Sequence, residues 1–314
     1  MSGVMIAHLD ELLERARHLP RQRIIVAGAE NHSALEAVLE AESRLPVEGV
    51  LVGDPDRLQA TARAIGLQAI PEARVIPART PEEAARQAVA VARQHGGILL
   101  KGSPDTGTFL KAVLDPQEGV RTGRVLSDVL LFEDPMHQPY RMRMITDGGV
   151  IPHPDLSQKI EIIRNAVAVA RALGWERPRV AVLSATEKVH PALPSTLEAA
   201  ILAKMSERGQ IPECVVEGPL SLDLAVSLES AAIKGVTSAV AGQADILVCP
   251  NIEVANILAK SVIYFAGRRV AHVAIGAAVP VLIPSRSDHA QTKLLSIALG
   301  MFLSDLDVAE PPRA

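Results

Sequence analysis

Short apolar runs alternate with longer amphipathic stretches along most of the 314 residues of this chain. Strand-like runs fall at Arg23–Ala29, Gly49–Gly53, Arg74–Pro77, Gly97–Lys101, Val125–Phe132, Arg143–Thr146, Arg179–Ser184, Cys214–Glu217, Ile246–Cys249, Val270–Ile275 and Val279–Ile283. Most are Val/Ile/Leu runs without a polar residue at every second position, the pattern of strands covered on both faces. Helical spacing fills the intervals. Its clearest case is Asp155–Leu173, where Leu156, Ile160, Ile163, Val167, Ala170 and Leu173 recur at three- and four-residue steps. Pro154 and Asp155 supply a start signal and Gly174 a stop. This alternation predicts an α/β protein whose mostly parallel sheet carries helices on its faces.

The rhythm breaks across Arg121–Arg143. Two strand-like runs there are separated by the polar, turn-rich stretch Glu133–Tyr140, which reads as a hairpin or an extended crossing and as a domain boundary. A last helix, expected over Ser287–Leu303, has no strand after it and is expected to pack back against the first domain.

Composition narrows the class. Aromatic residues make up only 2%, so the core is expected to be Val, Ile, Leu and Ala. A net charge of -4 argues against nucleic acid as the main partner. Cys214 and Cys249 sit in apolar runs and read as buried thiols, too few and too far apart for a metal set or a disulfide framework. The first ten residues lack the charged and apolar regions of a signal peptide. No run approaches the ~18 apolar residues of a membrane span. A cytoplasmic protein with no membrane partner is expected.

Familiar motifs are missing. The first strand is not followed by Gly-x-Gly-x-x-Gly, and there is no Gly-x-x-x-x-Gly-Lys-Ser/Thr, His-Glu-x-x-His or Gly-x-Ser-x-Gly. Four polar clusters remain, each at the end of a strand, where α/β sheets place ligands. Lys101–Lys111 is a small-residue loop opening a helix: a phosphate cradle, or a plain cap by Asp105 or Thr106. Ile145–Gly149 ends in glycines that admit a ligand or merely make a tight turn. Asn256 and Lys260 share a helix face, which also suits a solvated surface. In Val279–Asp288 an apolar run ends in Pro284 and meets Ser285 and Arg286 just before a helix. Free N–H groups, the helix dipole, a hydroxyl and a guanidinium fork together favour an oxyanion or phosphate there. The plainer reading is a helix cap beside a surface Arg.

Taken together the clusters resemble the phosphate acetyl/butyryltransferase family, close to its phosphotransbutyrylase branch. The resemblance rests on Thr108–Leu114, Gly119–Gly123, Ile145–Asp147, Pro154–Leu156 with Lys159, Val182–Ala185, Glu187–Val189, Pro194–Thr196, Glu217–Leu220, Asn256–Leu258 with Lys260, and Ser285–Arg286, in the family's order. It implies two α/β domains flanking a cleft, similar to the isocitrate/isopropylmalate dehydrogenase group. Residues 1–141 with 279–314 would form the first and 142–278 the second, which carries the contacts of a homodimer. The implied reaction is acyl-CoA plus phosphate giving acyl phosphate plus CoA, with CoA as a substrate, no cofactor or metal and no acyl-enzyme. On this pattern Arg286 holds phosphate and Ser285 donates to the carbonyl oxygen. Thr106, Thr108 and Asn256 line the cleft, Arg121 meets a CoA phosphate, and Asp147 and Lys260 complete the substrate-binding set.

The chain departs from the family's pattern at several positions. Gln291 stands where relatives carry an acid two turns into the last helix, which leaves Asp288 or His289 to take the thiol proton. Ser103-Pro104-Asp105-Thr106-Gly107 replaces a Ser/Thr-rich loop, Ala255 replaces a Gly before Asn256, and His153 precedes Pro154. Two alternatives stand beside the acyltransferase: a weakly active or non-catalytic binder of CoA and anions, and a metal-dependent dehydrogenase on the same fold.

Overall fold

A computed structural model of the chain describes residues 5–135, 141–285 and 288–304. In chain order these form α1 (Leu9–Ala16), β1 (Gln22–Ala27), α2 (His32–Arg44), β2 (Val47–Gly53), α3 (Pro55–Ala64), β3 (Val75–Pro77), α4 (Pro81–His95), β4 (Ile98–Lys101) and α5 (Thr106–Val113). There follow β5 (Ser127–Asp134), β6 (Arg141–Thr146), α6 (Leu156–Ala172), β7 (Arg179–Leu183), α7 (Pro194–Glu207) and β8 (Val215–Leu220). The described elements close with α8 (Leu222–Val226), α9 (Leu228–Ile233), β9 (Ile246–Val248), α10 (Ile252–Tyr264), β10 (Val270–Ile275), β11 (Val281–Leu282) and α11 (Ala290–Leu303). Every strand-like run of the sequence is a strand, with ends displaced by at most three residues.

The chain forms two compact units, one of Asp10–Arg124 with Ala271–Ala314 and the other of Met1–Leu9 with Val125–Val270. In the first, the strand order is β3-β2-β1-β4-β11-β10. Neighbours are parallel except β10 and β11. Residues 24–27 of β1 are fully buried, which fits a strand covered on both faces. β11 is shorter than the run Val279–Ile283. Pro280 and Pro284 flank it, and neither has an N–H to extend the ladder. α11 begins at Ala290 rather than Ser287, because His289 is extended (φ -66°, ψ 155°) and forms the cap. Almost all of α11 is buried, and it packs against α2 and β4.

In the second unit the order is β5-β6-β9-β7-β8. β5 and β6 pair antiparallel from Val129↔Thr146 to Asp134↔Arg141, so the expected hairpin-like pair is present and lies whole within this unit. Its remaining neighbours are parallel. The linking residues 136–140 lie outside the described residues. α6 starts in a full capping box: Asp155 accepts from the Gln158 N–H, and the Gln158 side chain accepts from the Asp155 N–H. Arg143 is buried in this unit (1% exposed), donating from Nε to Asp134 at 2.6 Å and from its terminal nitrogens to the carbonyls of Ala244 and Val226. Donation from all three guanidinium nitrogens, one of them to a carboxylate, is the way such a charge survives burial.

Candidate active site

In the first unit, candidate residues cluster at the carboxyl ends of β4 and β11. β4 runs into Gly102, whose amide donates to the Ala27 carbonyl at 2.8 Å. A Cβ at Gly102 would lie 2.2 Å from the Gly28 oxygen, so only glycine lets the two strand ends approach this closely. The loop is held further by Ser103, which donates to Glu30 at 2.7 Å. Asp105 then caps α5, accepting from the Thr108 amide at 2.9 Å and the Thr108 hydroxyl at 2.7 Å. Those two bonds hold its carboxyl below the ordinary range. The cap foreseen for this loop is therefore formed by Asp105. Thr106 is exposed on the first turn, and Thr108 has its hydroxyl proton committed to Asp105.

Arg121 is exposed, and its backbone bridges to Ala277. Thr122 donates to the Gly276 carbonyl at 2.6 Å, and Ala278 donates to the Val120 carbonyl at 2.8 Å, so this loop is fastened to the β10–β11 turn.

After β11, Ser285 and Asp288 exchange two hydrogen bonds. The Asp288 amide donates to the Ser285 carbonyl at 3.1 Å, and the Ser285 amide donates back to Asp288 Oδ2 at 2.7 Å. The same Oδ2 lies 3.2 Å from His272 Nε2 in the middle of β10. Lys293, buried in α11, donates to the Asp288 carbonyl at 2.6 Å. Burial pushes the Asp288 carboxyl up, but the hydrogen bond and charge of His272, the Ser285 amide and Lys293 outweigh it and hold the group below the usual range. Burial, by contrast, lowers Lys293. His289 is exposed and makes no side-chain cap, and Gln291, two residues on, is also exposed. Arg286 and Ser287 lie outside the described residues.

In the second unit, Asp147 follows β6 and is only 4% exposed. Its Oδ1 accepts from the amides of Asp128 (3.1 Å), Gly149 (3.0 Å) and Val150 (3.1 Å), and its Oδ2 from Ile151 (2.9 Å). Burial and the neighbouring Asp128 charge raise its carboxyl to about 6, against the pull of the amides from Gly149, Ile151 and Asp128. Asn256 on α10 donates to the Gly148 carbonyl at 3.0 Å, which ties that helix to the Asp147 turn. Lys260, one turn further, is exposed. Asp147 and Asn256 are thus brought together, and Lys260 shares their helix but not their bonds.

His272 is the residue that the sequence reading passed over. A single histidine within Val-Ala-His-Val-Ala-Ile reads as a core position, and nothing local hints at an aspartate sixteen residues on. Among the described residues no group of three or more His, Cys, Asp or Glu is placed to hold a metal, and no helix is long and apolar enough to cross a membrane.

The fold is that of a phosphotransacylase. A solved branched-chain phosphotransacylase from Enterococcus faecalis V583 covers 90% of this chain and 99% of its own length, with a TM-score of 0.77 and 31% identity. The phosphate acetyl/butaryl transferase family model matches residues 82–301, and the chain belongs to that family of acyltransferases. The phosphate butyryltransferase of Clostridium beijerinckii is 40% identical over 96% of this chain and 99% of its own length. The phosphate acetyltransferase of Thermotoga maritima is 41% identical over 93% of this chain and 98% of its own.

Proposed function

We propose that the chain moves a short acyl group directly between CoA and inorganic phosphate: acyl-CoA plus phosphate gives acyl phosphate plus CoA. The observation that carries this reading is the 40% identity to a phosphate butyryltransferase across nearly the whole of both proteins. A phosphate oxygen attacks the thioester carbonyl, the C–S bond breaks, and the departing thiolate takes up a proton. Ser285 donates to the carbonyl oxygen as charge gathers on it, and Arg286 holds the phosphate. Thr106, Thr108 and Asn256 line the substrate site, Arg121 meets a CoA phosphate, and Asp147 and Lys260 complete it. In the reverse direction the CoA thiol gives up its proton, and the Asp288 carboxylate, held below the usual range with Oδ2 accepting from Ser285 and His272, is a weak base for it. The imidazole of His289 suits that step better. CoA is a substrate, and no metal takes part.

The reaction is placed in the cytoplasm, and the active species is a homodimer. Support for the dimer comes from the second unit. There Leu197 and Ile201 on α7, Val254 and Ile257 on α10, and Phe265 just beyond leave 39–91% of their surfaces exposed. Light scattering that returned only monomer mass would remove that part.

The test is a panel of C2–C5 acyl-CoA esters assayed for thiol release with a chelator present. Release that needs phosphate or arsenate, and a phosphate KM raised at least ~tenfold in Arg286→Ala, is expected. Release without phosphate, or none with any ester, would overturn the reading. CoA binding without turnover would leave a non-catalytic binder in its place.

A further inference from the structure

We infer that His272 and Asp288 form a latch that positions Ser285, so that Asp288 acts as a positioning residue rather than as the proton acceptor of the reaction. The inference rests on the proposed role of Ser285. It starts from where the bonds go. Asp288 Oδ2 accepts at once from the Ser285 amide (2.7 Å) and from His272 (3.2 Å), while the Asp288 amide closes the turn on the Ser285 carbonyl (3.1 Å). Two opposed bonds between the same two residues fix the φ and ψ angles on either side of Ser285. The hydroxyl direction then follows from a single side-chain torsion.

The strand that carries the imidazole is anchored in turn. The His272 backbone amide donates to Ser296 Oγ at 3.0 Å, and Ser296 donates to the Thr292 carbonyl at 2.8 Å inside α11. Lys293 grips the other side, from the same helix to the Asp288 carbonyl at 2.6 Å. His272 and Asp288 side chains are each 13% exposed, so the contact is shielded from competing water. The Ser285–Asp288 pair is therefore bonded to β10 and to the buried helix α11. This is the kind of support that a group aimed at a developing charge needs, since small misplacements there are costly.

Both bonds to Oδ2 stabilise the ionised form, so this carboxylate is a weaker base than a free one, and a proton on it would loosen the bonds that hold Ser285.

The test combines kinetics with hydrogen exchange on the full chain. Ser285→Ala should lower kcat about a hundredfold. His272→Ala and Asp288→Ala should each lower kcat roughly tenfold with little change in KM, because the lost alignment matters only in the transition state. In a Ser285→Ala background neither should lower kcat further. His272→Gln, whose amide nitrogen reaches the place of Nε2, should recover most of the loss, whereas His272→Leu, which fills the same space without a donor, should not. Losses that multiply between Asp288→Ala and Ser285→Ala would overturn the latch, as would full kcat in His272→Ala alongside a retained Ser285 effect. Exchange at the Ser285 amide, read by mass spectrometry, separates the two claims. Faster exchange is expected in Asp288→Ala and His272→Ala, and unchanged exchange sinks the latch. Faster exchange with kcat intact in all variants leaves the latch standing and removes Ser285 from the reaction.

Discussion

Replacing Asp147 by Asn sets two physical effects against each other. Four amides point at the carboxylate, an arrangement that by itself stabilises the ionised form. Burial and the neighbouring Asp128 oppose them, and the balance lies at about 6, against 3.8 for an unperturbed carboxyl. The folded chain therefore holds this proton more tightly than the unfolded chain does. The associated stability is fully present below pH 3.8 and is lost as the pH rises through about 6. The gap between the two values corresponds to about 3 kcal/mol. Asparagine cannot titrate, but it turns an NH₂ toward the Ile151 amide in place of an oxygen, a fault costing about 1–3 kcal/mol at every pH. Urea unfolding of both proteins from about pH 3 to about pH 7 separates the terms. Trp175, the sole tryptophan, is buried in the same unit and reports on it. The expected result is a wild-type advantage that shrinks by up to about 3 kcal/mol as the pH rises. An advantage that is flat or grows with pH would mean that the four amides win and that the like charge of Asp128 is screened.

Lys159 is buried on α6 and paired with Glu198 on α7, whose carboxylate is a third exposed. Lys159→Met should therefore cost under about 1 kcal/mol, because Glu198 turns to water while the apolar stem is kept, whereas Lys159→Ala should cost about 2–3 kcal/mol by leaving a cavity; urea titration compares them. Gly102→Ala forces a Cβ to within 2.2 Å of the Gly28 carbonyl, so the strand ends must part. A loss of about 2–4 kcal/mol is expected, with a raised acyl-CoA KM because the Ser103–Thr108 loop moves; unchanged melting and kinetics would show that the backbone yields freely.

Much of the fold was open to reading because the strands are covered on both faces and so stand out as unbroken Val/Ile/Leu runs. What escaped depended on distant partners. That only two residues of Val279–Ile283 are strand follows from where Pro280 and Pro284 fall against β4 and β10. The last helix begins late because Asp288 spends its amide and carboxylate on Ser285, a use that the apolar spacing of the helix does not carry. Asp105 was legible as a cap because its partner Thr108 is three residues away. Asp147 and Asn256 were legible as polar strand-end and helix residues, but their meeting through Gly148 spans 108 residues of chain. His272 lay furthest from view, since a histidine within an apolar strand looks the same whether it faces packing or a carboxylate.

The first unit is not one stretch of chain. β4 pairs on one side with β1 and on the other with β11, which the ribosome delivers only after the whole of Val125–Val270 has been made. During synthesis β5 to β9 arrive together and can settle at once, while one margin of β4 stays open and unbonded. A nascent chain halted after Val270 would carry that bare margin, the kind of edge through which unfinished proteins adhere to one another. The strand that seals β4 and the Ser285–Asp288 pair directly behind it therefore leave the ribosome together, so a molecule gains its proposed anion site in the same step that closes that edge.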